Sequence, residues 1–196
     1  MGEYSANVRK GGTGGAKTAK SGADFENSTS QELLTKLVSR GYQVTNFHNS
    51  AASAKTLHGV DLKSPKGHTL QIFYQDGLYK LFLEPKGIHW QRLFSARLRP
   101  DTAIFSEDTR ILTIIEKKQQ EGAGSVAEKL QTCDYKLMYY KQLTKSLEIE
   151  VQLVWQLGSY FAAQESNLKS VFEYMLSKGS KYFFYDIPLE HLNIGE

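Results

Sequence analysis

The residues whose types and spacing bear most directly on chemistry are Asp101, Glu116 and Lys118. Apolar runs at 102–106 and 110–116 are separated by Glu107-Asp108-Thr109, which reads as the turn of a β-hairpin. A turn centred near 108–109 sets Asp101 opposite Glu116, roughly 5 Å apart at Cβ. Lys118 lies two positions further along and shares their face if strand geometry continues. Two carboxylates that close repel each other, and a divalent cation between them would relieve the repulsion. Oxygen ligands of this kind suit Mg²⁺. Such an ion polarises a phosphoryl oxygen and acidifies a bound water, while a lysine beside it stabilises developing negative charge. The spacing alone also allows an ordinary hairpin carrying surface acids and a lysine.

The elements that must position these residues follow from periodicity. Phe25, Leu33, Leu34, Leu37 and Val38 recur at helical spacing, which predicts a helix over 23–40 stopped by Gly41. Residues 42–47 alternate and read as a short strand, and 48–67 as a polar, basic loop. The Asp76-Gly77 pair between 68–74 and 78–83 predicts a first hairpin. Ser125, with Glu128 three residues on, marks the start of one long helix over 126–143 by a capping box, with Val126, Leu130, Cys133, Leu137 and Tyr140 on one face. Residues 149–157 alternate cleanly, with Glu150, Gln152 and Gln156 on one side. A last helix over 166–178, a strand over 182–185 and a tail from Pro188 complete the chain. The order of helices and strands implies an α/β (α+β) fold with a mixed central sheet of three to five strands flanked by helices.

The 196 residues suit one domain, 23–196, preceded by a flexible Gly-rich arm over 1–22. That arm holds Arg9, Lys10, Lys17 and Lys20 against the single acid Glu3, and so carries the whole formal net charge of +3. Positive charge collected in one arm is common in proteins that meet nucleic acid, and also serves as a solubilising tail. A second basic window, 85–99, contains Lys86, His89, Arg92, Arg97 and Arg99 and no acid. The lone Cys133 excludes an internal disulfide and a cysteine metal cluster. No apolar run approaches the ~20 residues of a membrane span, and the first residues lack the pattern of a secretory signal. A cytoplasmic protein is expected.

Pro100-Asp101, fourteen intervening residues, then Glu116-Lys117-Lys118 after the apolar Ile111-Leu112-Thr113-Ile114-Ile115 resemble the signature of the PD-(D/E)XK nuclease superfamily. The run from Gln119 to Leu130 resembles the loop and helix start that follow this motif in type II restriction endonucleases of bacterial or phage type. Ser21-Gly22-Ala23-Asp24-Phe25-Glu26 looks like part of the first helix of that fold. The resemblance implies a Mg²⁺-dependent endonuclease, with Mn²⁺ able to substitute, that cuts double-stranded DNA at a short sequence, usually as a homodimer. Carried over residue by residue, it makes Asp101, Glu116 and the backbone carbonyl of Lys117 the metal ligands. Lys118 becomes the catalytic lysine, and Glu26 a further acid that faces the metal or lies in solvent.

DNA contacts would fall to Arg97 and Arg99, which lead into the site, to Gln119 and Gln120 beside Lys118, to Ser125 and Lys129 at the following helix, and to Lys17 and Lys20 of the arm. Trp90 could stack or simply pack. Gln131 and Tyr135 fit a short pattern of exonuclease members, and Glu84 is a spare carboxylate. Lys55, Lys63 and Lys66 belong to another candidate loop. Gly11 to Thr18 superficially resembles a nucleotide-binding loop, but no apolar strand precedes it, so no nucleotide cofactor is expected. The histidines show no metal-ligand spacing. A structure-specific repair, recombination or phage-type nuclease of the same fold, and a non-catalytic DNA-binding protein, are the alternatives.

Overall fold

The computed structural model describes the backbone of residues 15–50, 53–120 and 126–195. The chain is an α/β protein built on one seven-stranded sheet whose spatial order equals its chain order. The strands are β1 (Gln43–Ser50), β2 (Ser53–Lys63), β3 (Thr69–Tyr74), β4 (Thr102–Ser106), β5 (Ile111–Lys118), β6 (Glu150–Leu157) and β7 (Ser180–Phe184). Neighbours from β1 to β5 run antiparallel. The pairs β5–β6 and β6–β7 are parallel. Parallel neighbours need a crossover. It is supplied by α2 (Val126–Leu130) with α3 (Cys133–Thr144), and then by α4 (Ser159–Ala163) with α5 (Lys169–Ser177).

Both faces of the sheet are covered. One carries a core of Phe73, Leu112, Ile114, Leu153 and Trp155 under Leu137, Tyr140, Phe161, Phe172 and Met175 of the crossover helices. The other packs Val60, Ile72, Ile104, Ile115 and Val154 against Leu37 of α1 (Gly15–Ser39) and against Ile187, Leu189, Leu192 and Ile194 of the C-terminal segment. Every residue of β4 is buried, which is the behaviour of a strand covered on both sides. No helix among the described residues is long and apolar enough to cross a membrane.

Several expected elements differ. The mixed sheet has seven strands rather than three to five. The expected loop at 48–67 is mostly strand. In β2 the side chains of Val60 and Leu62 are buried, while Asp61 and Lys63 between and after them point the other way. Residues 78–83 form a wide helical turn, not a strand. Leu78, Tyr79, Phe82 and Leu83 are its buried residues, and that spacing is helical. The expected long helix is broken at residues 131–132 into α2 and α3. Gln152 and Gln156 are buried: Gln152 donates to Thr113 Oγ1 at 2.6 Å and to the His191 carbonyl at 3.1 Å, and Gln156 donates to the Tyr185 carbonyl at 2.8 Å. They fasten the stretch after residue 185 to the sheet, so this expected tail is part of the core. Helix α1 reaches back to Gly15, into the stretch expected as an arm. Residues 1–14 lie outside the described residues.

Gly77 shows why the Asp-Gly pair is not a hairpin here. A Cβ at this position would lie 1.7 Å from the His58 carbonyl oxygen, so the glycine lets the helical turn dock against β2. Gly77→Ala must push two backbones apart. It is expected to cost about 3 kcal/mol and to lower Tm by roughly 6 to 12 °C. A Tm equal to the parent's in thermal denaturation would show that the contact is soft.

Candidate active site at the ends of β4 and β5

Thr102 pairs with Ile115 and Ala103 with Ile114 across β4 and β5, so Asp101, the next residue outward, comes opposite Glu116 as the hairpin spacing requires. Asp101 accepts a hydrogen bond from the Lys117 backbone N–H on Oδ2 at 2.6 Å. Its approach is anchored by tyrosines. Tyr79 and Tyr140 donate to the Leu98 carbonyl, and the Leu98 N–H donates to the Tyr139 hydroxyl at 3.3 Å. Burial pushes the Tyr79 and Tyr140 phenols up, so they stay neutral donors. Three buried rings thus fix the backbone three residues before Asp101.

Glu116 and Lys118 project to the α3 side of the sheet, while Lys117 projects to the α1 side, where its Nζ donates to Ser30 Oγ at 2.7 Å. Lys118 Nζ lies 3.1 Å from Asp101 Oδ2, 2.8 Å from the Lys117 carbonyl oxygen and 3.5 Å from Glu116 Oε2. One ammonium therefore gathers the three groups that the resemblance implies as metal ligands. A second ammonium, Lys136 Nζ of α3, approaches Glu116 Oε2 at 2.6 Å and sits 5.4 Å from the centre of the Trp155 ring.

Glu116 is 2% exposed, and its Oε1 is buried with no hydrogen-bond partner among the described residues. Burial is the largest influence on its carboxyl and raises the pKa. Lys136 and Lys118 pull it down and Asp101 pushes it up, and the balance stays above the ordinary glutamate value. The donor set fits a hard divalent cation: two carboxylates, one of which presents an unpartnered buried oxygen, and a main-chain carbonyl. Among the described residues no group of three His, Cys, Asp or Glu side chains stands together. The carbonyl would have to complete the set.

The other expected contacts distribute unevenly. Arg97 and Arg99 both pair with Asp76 Oδ1 at 2.9 Å. Asp76 lines the same cleft as Asp101, so these arginines border the site. Gln119 turns away from it: its Nε2 donates to Ser159 Oγ at 3.3 Å and its amide lies against Gly158, where a Cβ would sit 1.5 Å from Oε1. Gln120 is half-buried and Lys129 is exposed. Trp90 is partly buried against the core, with Arg97 6.0 Å from its ring centre. Gln131 and Tyr135 are exposed, and Glu84 is exposed in a short helical turn rather than at a strand end. Lys63 donates to Thr69 Oγ1 at 2.9 Å, and Lys66 is exposed. Ser125 lies outside the described residues, as do the side chains of Glu26, Lys17, Lys20 and Lys55.

Lys136 was not anticipated from sequence. The signal was its place inside the apolar stripe of α3, three residues after Cys133 and four before Tyr140, where a charged residue needs a buried partner. Comparison with family models, curated proteins and solved structures returns no match.

The raised carboxyl of Glu116 has a consequence with a definite sign. A folded-state pKa above the unfolded value means that the fold holds this proton more tightly. Stability from that group is therefore present below the unfolded pKa and lost as pH rises through the folded one. Glu116→Gln removes the titration. Thermal denaturation of parent and variant should show the Tm difference moving in the variant's favour from about pH 4 to about pH 8. Any constant offset from the lost ion pair does not alter that trend, and movement in the parent's favour would contradict a raised carboxyl.

Proposed function

We propose that the protein is a Mg²⁺-dependent endonuclease that hydrolyses DNA phosphodiester bonds at the Asp101–Glu116–Lys118 site, with the PD-(D/E)XK, restriction-endonuclease-like core as its framework. The observation that carries this reading is the convergence of Asp101, Glu116 and the Lys117 carbonyl on one cationic point, held at present by the Lys118 ammonium. Those three groups would hold the ion, with Mn²⁺ able to substitute. When bound, the cation supplies electrophilic activation of the phosphate and of the attacking water.

The protein's own residues do the rest. Asp101 is held in place by the Lys117 N–H, so its carboxylate is oriented before substrate arrives. Lys118 brings a positive charge to the reacting phosphate and neutralises charge as it develops there. Lys136, whose ammonium lies over the Trp155 ring, keeps a counter-charge on the buried Glu116. Arg97 and Arg99 supply cations for the flanking phosphates. Cutting both strands of a duplex at one sequence would call for two copies of the site, most simply in a twofold dimer.

Cleavage of plasmid DNA with Mg²⁺ tests the reading against Asp101→Ala and Lys118→Ala, with DNA affinity recorded alongside. The parent is expected to cut. Each variant should cut about 10² to 10³-fold more slowly while still binding DNA. Intact plasmid with the parent, in Mg²⁺ and in Mn²⁺, would overturn the reading for duplex substrates.

A further inference from the structure

A cleft of about 630 Å³ runs from Asp101 between α1 and the neighbouring ends of β2 and β3. Its volume lies within the ~300 to 1,000 Å³ of small-molecule sites. Leu34, Leu57 and Tyr74 contribute apolar surface, and Gln31 and Gln75 contribute amides, each able to donate and accept. Among the described residues none that lines it is a lysine or arginine, and Asp76 and Asp101 add two carboxylates. The cations stand at its border: Arg97 and Arg99 on Asp76, and Lys80 Nζ 3.3 Å from His58 Nε2. Gln75 is held at a φ of +45°, a conformation non-glycine residues rarely adopt, and it lies in the wall of this cleft.

A lining that presents two carboxylates, and no lysine or arginine among the described residues, is a poor place for a phosphate. Amides, an aromatic ring and apolar walls suit a flat, uncharged group with donors and acceptors on its edge. Cations around the mouth suit the phosphates attached to such a group. A nucleotide has that division of chemistry, with a base that stacks on a ring and is read along its edge by amides. A base inside a duplex cannot reach such a cleft without leaving the stack.

We propose that this cleft binds a single unstacked nucleobase of the DNA strand whose phosphate lies at the Asp101 site. The substrate would then be DNA with an unpaired or extruded nucleotide at the point of cleavage. This proposal rests on the nuclease reading for the position of the phosphate, but the cleft's affinity for a base is measurable without cleavage.

The test is a nuclear magnetic resonance titration of the full chain, free of metal, with the four deoxynucleoside 5′-monophosphates and with deoxyribose 5-phosphate. At least one nucleotide should bind about tenfold more tightly than the sugar phosphate, shifting the amides of Leu57 and Tyr74. A tenfold difference is the size expected from one stacked base. Leu57→Trp, which fills the cleft, should remove that preference. Gln31→Ala, at an exposed position that tolerates change, should weaken it if the bulkier variant fails to fold. Equal affinity for sugar phosphate and nucleotides, or a preference that survives both variants, overturns the proposal. Nucleotide binding by a protein that cleaves no DNA would keep the cleft and remove the catalytic reading. Cleavage without nucleotide preference would do the reverse.

Discussion

Burial of the Glu116 carboxylate at the end of β5 is the constraint around which the site is arranged. A carboxylate taken out of water costs several kcal/mol unless charge and hydrogen bonds replace the water. Here one oxygen is met by two ammonium groups, from Lys136 and Lys118, and the other is left without a partner among the described residues. That arrangement ties α3 to β5 by charge, places Lys136 over Trp155 instead of in solvent, and orients Lys118 toward Asp101. Such a group is a burden in a purely structural hairpin. It has a use if a cation and a phosphate complete it, which is why Glu116 bears most of the weight of the functional reading.

The supports reach further than the hairpin. The clamp of Tyr79, Tyr139 and Tyr140 on Leu98 fixes the chain entering β4. Lys117 alternates to the opposite face and docks on Ser30 of α1. The strand end is therefore held from both layers. The same side of α1 forms one wall of the cleft that ends at Asp101, so the residues proposed as catalytic and the proposed base site share a scaffold.

The hairpin and its register were legible in the sequence because β4 and β5 are short, apolar and joined by a polar turn, which fixes the pairing of Asp101 with Glu116. Residues 78–83 misled because Asp-Gly is a strong local turn signal, whereas Gly77 is there for a close approach to His58, a tertiary fact. β2 was read as loop because its apolar residues, Leu57, Val60 and Leu62, keep no regular alternation among small, polar and basic residues. Gln152 and Gln156 read as the polar side of an alternating strand, and they serve as buried hooks for the C-terminal segment. Lys136 was hidden because a lysine in a helix is ordinarily read as solvated. Its partner lies twenty residues away on another element and is found only when the helix is docked.

Calorimetric titration of Mn²⁺ into the full chain without DNA measures the central claim most directly, next to Asp101→Asn and Glu116→Gln. The account predicts binding by the parent that is lost in both variants, because each removes an oxygen charge from the same point. A parent that takes up no Mn²⁺, or variants that bind it as tightly as the parent, would contradict the assignment of these residues to a metal-dependent hydrolytic site.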